Sequence, residues 1–249
     1  MPMQLWFCPL LAFLLGSVPF GLIIAKIKGI DIREHGSGNI GATNVLRILG
    51  KKYGIPCLLL DALKGFIPVV IAVNLVRITG RDLQFHLAFL DSFHLQLAAT
   101  EQLKGQFVHV LTALAAVLGH NYSPWIGFKG GKGIATSAGI LIALMPMAVV
   151  ILLIVFIITL LATRYVSVAS MVSALVLPFL THLGARFHKS AEGISLWEAG
   201  TWNKPLFFFS VLIAALAIWK HRANILRLRQ GTESRFVYVV KRKSESPDS

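Results

Sequence analysis

Four short polar segments interrupt an otherwise apolar chain, and each carries groups of the kind that bind phosphate. The first, residues 35–47, reads His-Gly-Ser-Gly-Asn-Ile-Gly-Ala-Thr-Asn-Val-Leu-Arg. Its glycines let backbone N–H groups converge on an anion. Ser37, Thr43 and Asn44 add neutral donors, and Arg47 offers a planar fork to phosphate oxygens. A turn-rich loop whose arginine meets lipid headgroups is the plainer account, but the density of donors beside Arg47 goes beyond it. The second segment runs from Gly119 and His120 to Phe128-Lys129-Gly130-Gly131-Lys132-Gly133 and leads into an apolar stretch. Backbone donors just before a helix N-terminus make a phosphate site, and Lys129 and Lys132 add charge. The nucleotide P-loop is excluded, because Gly-x-x-x-x-Gly-Lys-[Ser/Thr] after a strand is missing. A basic turn that merely anchors the membrane would not need three glycines around two lysines.

The third segment, Thr163-Arg164-Tyr165-Val166-Ser167-Val168-Ala169-Ser170, is a short basic turn. Ser and Thr there would, standing alone, do no more than bond the preceding helical turn. The fourth is His221-Arg222-Ala223-Asn224-Ile225-Leu226-Arg227, followed by Gly231-Thr232-Glu233. A basic tail after a last span is usually an orientation signal. His221 and Asn224, three apart, nevertheless share one helix face.

The elements that must carry these segments are membrane helices. Of 249 residues 55% are hydrophobic and only 14% charged, against roughly 25% charged in an average soluble domain. The net charge of +13 gathers in the short loops and the tail, which is the positive-inside pattern and not a nucleic-acid footprint. Membrane spans are expected at about residues 3–25, 53–76, 106–118, 166–183 and 205–219, the longer of them matching the roughly 20 apolar residues that cross a bilayer as a helix. Residues 133–163 are uncharged and would reach roughly 46 Å as one helix. Two short spans turning near Pro146 return Arg164 to the side of Lys132, as the charge bias asks. The fold class expected is therefore all-α: a polytopic membrane bundle of about seven helices, N-terminus outside and C-terminus cytoplasmic.

No Lys or Arg precedes Lys26, so the first apolar run is expected to stay as a helix and not leave as a signal peptide. Residues 1–249 read as one membrane domain, with 241–249 a disordered tail. Residues 77–104 read as an outside loop with a surface helix. Cys8 and Cys57 fall near opposite faces and do not suggest a disulfide. Asp61 and Lys64 inside the second span are functional candidates, or else an i,i+3 pair that stabilises the helix.

Together the four segments resemble one family, the bacterial acyl-phosphate-dependent glycerol-3-phosphate acyltransferases. The resemblance covers essentially the whole chain and rests on Gly-Ser-Gly-Asn-x-Gly-Ala-Thr-Asn-Val-Leu-Arg, Gly-His with Phe-Lys-Gly-Gly-Lys-Gly-x-Ala-Thr, Arg-Tyr-x-Ser and His-Arg-x-Asn-Ile. Asp61, Lys64 and the Pro19 turn fit as well. Ile40 stands where the family often has proline, and residues 77–104 look longer than usual. The resemblance implies acyl transfer from acyl phosphate to the 1-hydroxyl of glycerol 3-phosphate at the cytoplasmic face of the bacterial inner membrane. The products would be lysophosphatidic acid and phosphate, in the first step of phospholipid synthesis. It implies catalytic roles for Ser37, Arg47, His221 and Asn224. Substrate contacts would come from Gly38, Asn39, Thr43, Asn44, His120, Lys129, Gly130, Gly131, Lys132, Gly133, Thr136, Ser167 and Ser170, with Glu233 structural.

The residue chemistry agrees independently. Acyl phosphate has a good leaving group, so orientation and charge stabilisation suffice. No carboxylate cluster for two Mg²⁺ ions is visible, and neither a metal nor another cofactor is expected. The general base stays open between His221 and a substrate phosphate. Expected partners are the two substrates and membrane lipids, with no nucleic acid and no obligatory protein. An organic-anion transporter would call for midplane charges in several spans and for inverted repeats. A metal-dependent phosphatidyltransferase would call for repeated Asp ligands. Neither pattern is visible.

Overall fold

The computed structural model describes residues 2–187 and 203–236, and almost all of its regular structure is helical. Helices α1 (Gln4–Ser17) and α2 (Phe20–Ile27) form one apolar stretch. It is interrupted at Val18 and Pro19, where proline removes a backbone donor. The carbonyls freed at the break are claimed from far away. Ser123 Oγ donates to Ser17 O at 2.6 Å and Lys64 Nζ donates to Val18 O at 2.7 Å. Trp125 Nε1 donates to Ser17 Oγ at 2.7 Å. Helix α3 (Ala42–Leu49) is short and amphipathic, and α4 (Lys51–Leu75) follows directly through Gly50.

In place of the expected surface helix, residues 76–101 hold no α-helix, only single 3₁₀ turns at Ala88–Leu90 and Ala99–Glu101. Strand β1 (Val76–Ile78) pairs in parallel with β2 (Leu95–Leu97). Val76 and Ile78 are buried with Arg77 between them, an alternation that suits a strand better than a helix face.

Helices α5 (Gln102–Asn121), α6 (Ile134–Leu144), α7 (Pro146–Thr163), α8 (Val166–Phe187), α9 (Lys204–Lys220) and α10 (Arg222–Arg229) complete the described residues. The break between α6 and α7 falls at Met145, with Pro146 opening α7. Four segments are long and apolar enough to cross a membrane: Gln4–Ile27, Lys51–Leu75, Pro146–Thr163 and Val166–Arg186. A fifth is counted if α9 and α10, bent by 51°, are taken together. The expected third span, α5, carries Gln102, Lys104, Gln106, His109 and His120, and α6 has only 11 residues. These two account for much of the difference from about seven. The outside loop expected before Lys204 lies mostly beyond the described residues, and the tail 241–249 lies wholly beyond them.

Close packing makes the bundle. Helix α1 lies on α5 and α4 on α6. A Cβ on Gly16 would overlap Ala116 O, and one on Gly139 would overlap Ala62 O, the small-residue crossing that lets membrane helices approach. Ala12, Val69, Ala113, Val117, Ile140 and Phe209 form the centre. Only 11% of α7 is buried, against 44% of α4. Its Leu153, Ile154, Ile157, Ile158 and Leu161 are exposed, as a face against acyl chains requires.

Candidate functional site

A pocket forms where the first loop, the glycine-rich loop, the start of α8 and α10 meet. Its wall includes Ser37, Asn39, Thr43, Asn44, Arg47, His120, Lys132, Gly133, Ser167, Ser170, His221, Asn224 and Glu233. These come from all four polar segments of the sequence.

The first loop is held by a single buried amide. Asn44 Nδ2 donates to the carbonyls of Ile32, His35 and Asn39 at 3.2, 3.0 and 2.9 Å. Asn44 Oδ1 accepts from Ser37 N at 3.0 Å. Gly36 has φ of 61°, and a Cβ there would overlap Asn44 Oδ1, so only glycine lets the loop close over that amide. The fold-back brings Ser37 beside α3. There Thr43 and Arg47 stand one turn apart, exposed, and Arg47 has no partner among the described residues. Asn39 Oδ1 accepts from Gly41 N at 2.8 Å, an Asx turn leading into α3.

The glycine-rich loop folds tightly onto the end of α5. Gly131 N donates to His120 O at 3.1 Å. A Cβ on Gly131 would overlap His120 Nε2, and one on Gly130 would overlap His120 O. Gly130 and Gly131 thus act by close approach to His120, and neither lines the pocket. Lys129 is exposed and outside it, and Gly38 and Thr136 also lie outside. Lys132 does reach in, donating from Nζ to Asn224 Oδ1 at 2.5 Å. Burial is the main cause that pushes its ammonium down to about 8; Glu233 opposes the shift, and Arg227 and Arg47 add to it.

Glu233 is the hub of the far wall. Its Oε1 accepts from Asn224 Nδ2 at 2.6 Å and from Ser167 Oγ at 2.8 Å, and its Oε2 from Arg227 Nε at 2.8 Å. Burial alone would raise its carboxyl. These hydrogen bonds and the Arg227 charge outweigh that and hold it below the usual range. The chain reaches this position through a helix stop. Gly231, at φ 69°, lets its N–H bond Leu228 O at 3.2 Å while Thr232 N bonds Arg227 O at 2.8 Å. This paired closure turns the backbone over the helix end.

Ser167 is therefore occupied by Glu233, and Ser170 Oγ by Val166 O at 2.8 Å. His221 Nδ1 lies 2.8 Å from Ala217 O, which makes Nδ1 the protonated nitrogen and leaves Nε2 a lone pair. Burial, then the charge on Lys132, pushes the imidazole down to about 4. It is neutral at physiological pH.

Arg227 and Asp61 also line the pocket; the sequence assigned no site role to Arg227 and left Asp61 between a functional candidate and a local ion pair. Three positions beyond Asn224 on a helix, Arg227 was within reach of the spacing argument used for His221 and Asn224. Asp61 pairs with Lys64 at 2.7 Å, and its Oδ1 lies 3.7 Å from His120 Nδ1. Among the described residues no three His, Cys, Asp or Glu side chains gather as a metal centre would need.

A helical membrane protein with a basic, donor-rich pocket at one end of the bundle is a protein for phosphate-bearing substrates. The glycerol-3-phosphate acyltransferase family model matches residues 6–231. The chain is 44% identical to the glycerol-3-phosphate acyltransferase of Geotalea daltonii over 225 residues, covering 90% of this chain and 94% of that one. It is 41% identical to that of Aquifex aeolicus over 234 residues, 94% of this chain and the whole of the relative. The crystal structure of PlsY (YgiH), an integral membrane glycerol 3-phosphate acyltransferase in its glycerol 3-phosphate form, is similar with a TM-score of 0.73 and 38% identity. That match covers 94% of this chain and 96% of PlsY. The chain belongs to the glycerol-3-phosphate acyltransferase family.

Proposed function

We propose that the protein transfers a fatty acyl group from acyl phosphate to the 1-hydroxyl of glycerol 3-phosphate, releasing 1-acyl-glycerol 3-phosphate (lysophosphatidic acid) and inorganic phosphate. The observation that carries this reading is the convergence of Arg47 and Lys132 with neutral donors in one pocket. Apolar Leu58 and Phe156 join the same wall. A phosphate needs the former, and an acyl tail the latter. The family's structures include a form of PlsY with lysophosphatidic acid, which fits the proposed product.

In this reading Arg47 neutralises the acyl phosphate while Ser37 Oγ donates to the reacting group. Lys132 and Asn224 hold glycerol 3-phosphate, and His120 backs the glycine turn that carries Lys132. His221 Nε2 accepts from the neighbouring 2-hydroxyl of glycerol 3-phosphate, which orients the substrate and leaves the attacking 1-hydroxyl to donate to a phosphate oxygen. With an imidazole near 4, the better acceptor for the departing proton is a substrate phosphate, whose second ionisation lies near 6. The C–O ester bond forms, the acyl C–O bond to phosphate breaks, and the leaving phosphate takes the electron pair. Donors fixed before the reaction supply the stabilisation, and no cofactor takes part.

The same reading places the chain as one domain with about seven spans. Its N-terminus is outside and its site lies on the cytoplasmic side of the bacterial inner membrane, as the basic loops favour. Purified protein given acyl phosphate and labelled glycerol 3-phosphate should form labelled lysophosphatidic acid on chromatography, with a chelator harmless. Activity with acyl-coenzyme A alone, or its abolition by the chelator, would refute the donor assignment. Phosphate movement across liposomes without ester formation would instead make the protein a transporter.

A further inference from the structure

Two dianionic phosphates must be met in this pocket, yet the lysines and arginine assigned from the sequence supply fewer cations than expected. Lys129 stands exposed outside the pocket, which leaves Arg47 and Lys132. Arg227 makes up the difference. It lies on α10 one turn beyond Asn224, in the pocket wall. Only its Nε is engaged, with Glu233 Oε2 at 2.8 Å. Its two terminal nitrogens make no hydrogen bond among the described residues.

A carboxylate in an anion pocket is unfavourable unless its charge is spent. Glu233 spends it on three donors, Asn224, Ser167 and Arg227. The consequence for Arg227 is geometric. A guanidinium fixed through Nε has its remaining N–H groups held in a planar fork, the shape that matches phosphate oxygens. Through Glu233 and Asn224 this fork is coupled to Lys132, since Asn224 Oδ1 accepts from Lys132 Nζ. Arg227 and Lys132 therefore form one unit, while Arg47 belongs to the first loop.

We propose that Arg227 is a phosphate-binding residue for glycerol 3-phosphate, with Glu233 positioning its fork; this rests on the reading of the pocket given above. Arg227→Gln removes the fork and the charge. Its Michaelis constant for glycerol 3-phosphate should rise about 10- to 100-fold, the effect of losing a charge-assisted pair. The constant for acyl phosphate and the turnover number should stay within about threefold. Arg227→Lys keeps the charge but not the fork and should recover only part of the loss.

Binding is read separately, without turnover, as the dissociation constant obtained from the rise in melting temperature of the detergent-purified protein with glycerol 3-phosphate concentration. That constant should shift by the same factor as the Michaelis constant. An unchanged dissociation constant in a folded Arg227→Gln variant overturns the proposal. So does an equal rise in both Michaelis constants with a lowered unliganded melting temperature, the mark of a merely structural arginine. If Arg227→Gln does not fold, the same two comparisons apply to Arg227→Lys. A parent that binds glycerol 3-phosphate but never forms ester sinks the acyl-transfer reading and leaves the test of Arg227 intact.

Discussion

Gly131→Ala is the substitution whose effect the geometry constrains most tightly. A Cβ at this position would stand 2.9 Å from His120 Cε1 and 3.1 Å from Cδ2, and closer still to Nε2, where ordinary contact begins at 3.4 Å. The imidazole cannot retreat freely, because His120 is buried against the Asp61–Lys64 pair. The loop must therefore move, by something on the order of 1 Å. Its bond from Gly131 N to His120 O, 3.1 Å long, is strained or lost at about 1 kcal/mol. Lys132, the next residue, shifts with it and leaves its hold on Asn224. A displacement of about 1 Å in a positioning group costs on the order of 100-fold in rate, or about 2.7 kcal/mol of transition-state stabilisation. Lys132 contacts the acceptor substrate in the proposed reaction, so most of this should appear as a raised KM for glycerol 3-phosphate with a smaller change in kcat. Initial rates at saturating acyl phosphate, with melting temperature measured on the same preparation, check it. A stable variant with unchanged KM would show that this loop does not hold the phosphate.

Arg47→Lys keeps the charge but loses the fork and should cost about 2–4 kcal/mol, roughly 30- to 1000-fold in rate, in a protein as stable as the parent. Ser37→Ala should likewise lower turnover without unfolding. Asn44→Ala removes the amide that ties four backbone groups together and should lower activity and melting temperature together, by about 2–4 kcal/mol of stability. Equal melting temperatures for Asn44→Ala and Ser37→Ala would refute the division of labour. In pH profiles, kcat/KM for glycerol 3-phosphate should fall as Lys132 loses its proton above about 8, and Lys132→Arg should flatten that limb. The stability of the free protein should move the opposite way. Lys132 binds its proton more weakly folded than unfolded, so its contribution rises with pH from about 8 towards the ordinary lysine value. A limb unmoved by Lys132→Arg would assign it elsewhere. For topology, single cysteines at exposed Ser92 and Lys129 should react with impermeant reagents from outside and only after permeabilisation, respectively. Ser123 is unsuitable, being buried with its hydroxyl on Ser17 O.

The segments that build the pocket were legible in the sequence because their chemistry is unusual between apolar spans. What each residue does inside them was not. Asn44 and Ser37 look alike as neutral donors, yet one is saturated by its own loop while the other faces the pocket. Lys129 and Lys132 flank the same two glycines, but the left-handed backbone at Gly127 and Phe128 belongs to a turn that leaves Lys129 in solvent. Such assignments depend on which donors the backbone has already consumed, and residue type carries no record of that. The strands at Val76–Ile78 and Leu95–Leu97 were missed for a related reason, since three-residue runs are too short for periodicity to declare itself.

The pair Asp61 and Lys64 shows how structure decides between readings that sequence leaves balanced. A local i,i+3 pair stabilising α4 would leave Lys64 with no other polar partner. Instead its Nζ reaches Val18 O at 2.7 Å, across to the break in the first helix, as well as Asp61 at 2.7 Å. Val18 O, at the break, also accepts from Phe20 N at 3.1 Å, so Lys64 is its second donor and fastens α4 to the bend of the first apolar stretch. A lysine that supplies the donor brings a charge that in turn needs a carboxylate. Lysine and aspartate thus require each other, the lysine ties them to the break, and the aspartate ends beside His120 beneath the glycine-rich loop. The charges inside the second span belong to the same construction as the phosphate pocket: they hold the bent first helix and the floor of the site in register.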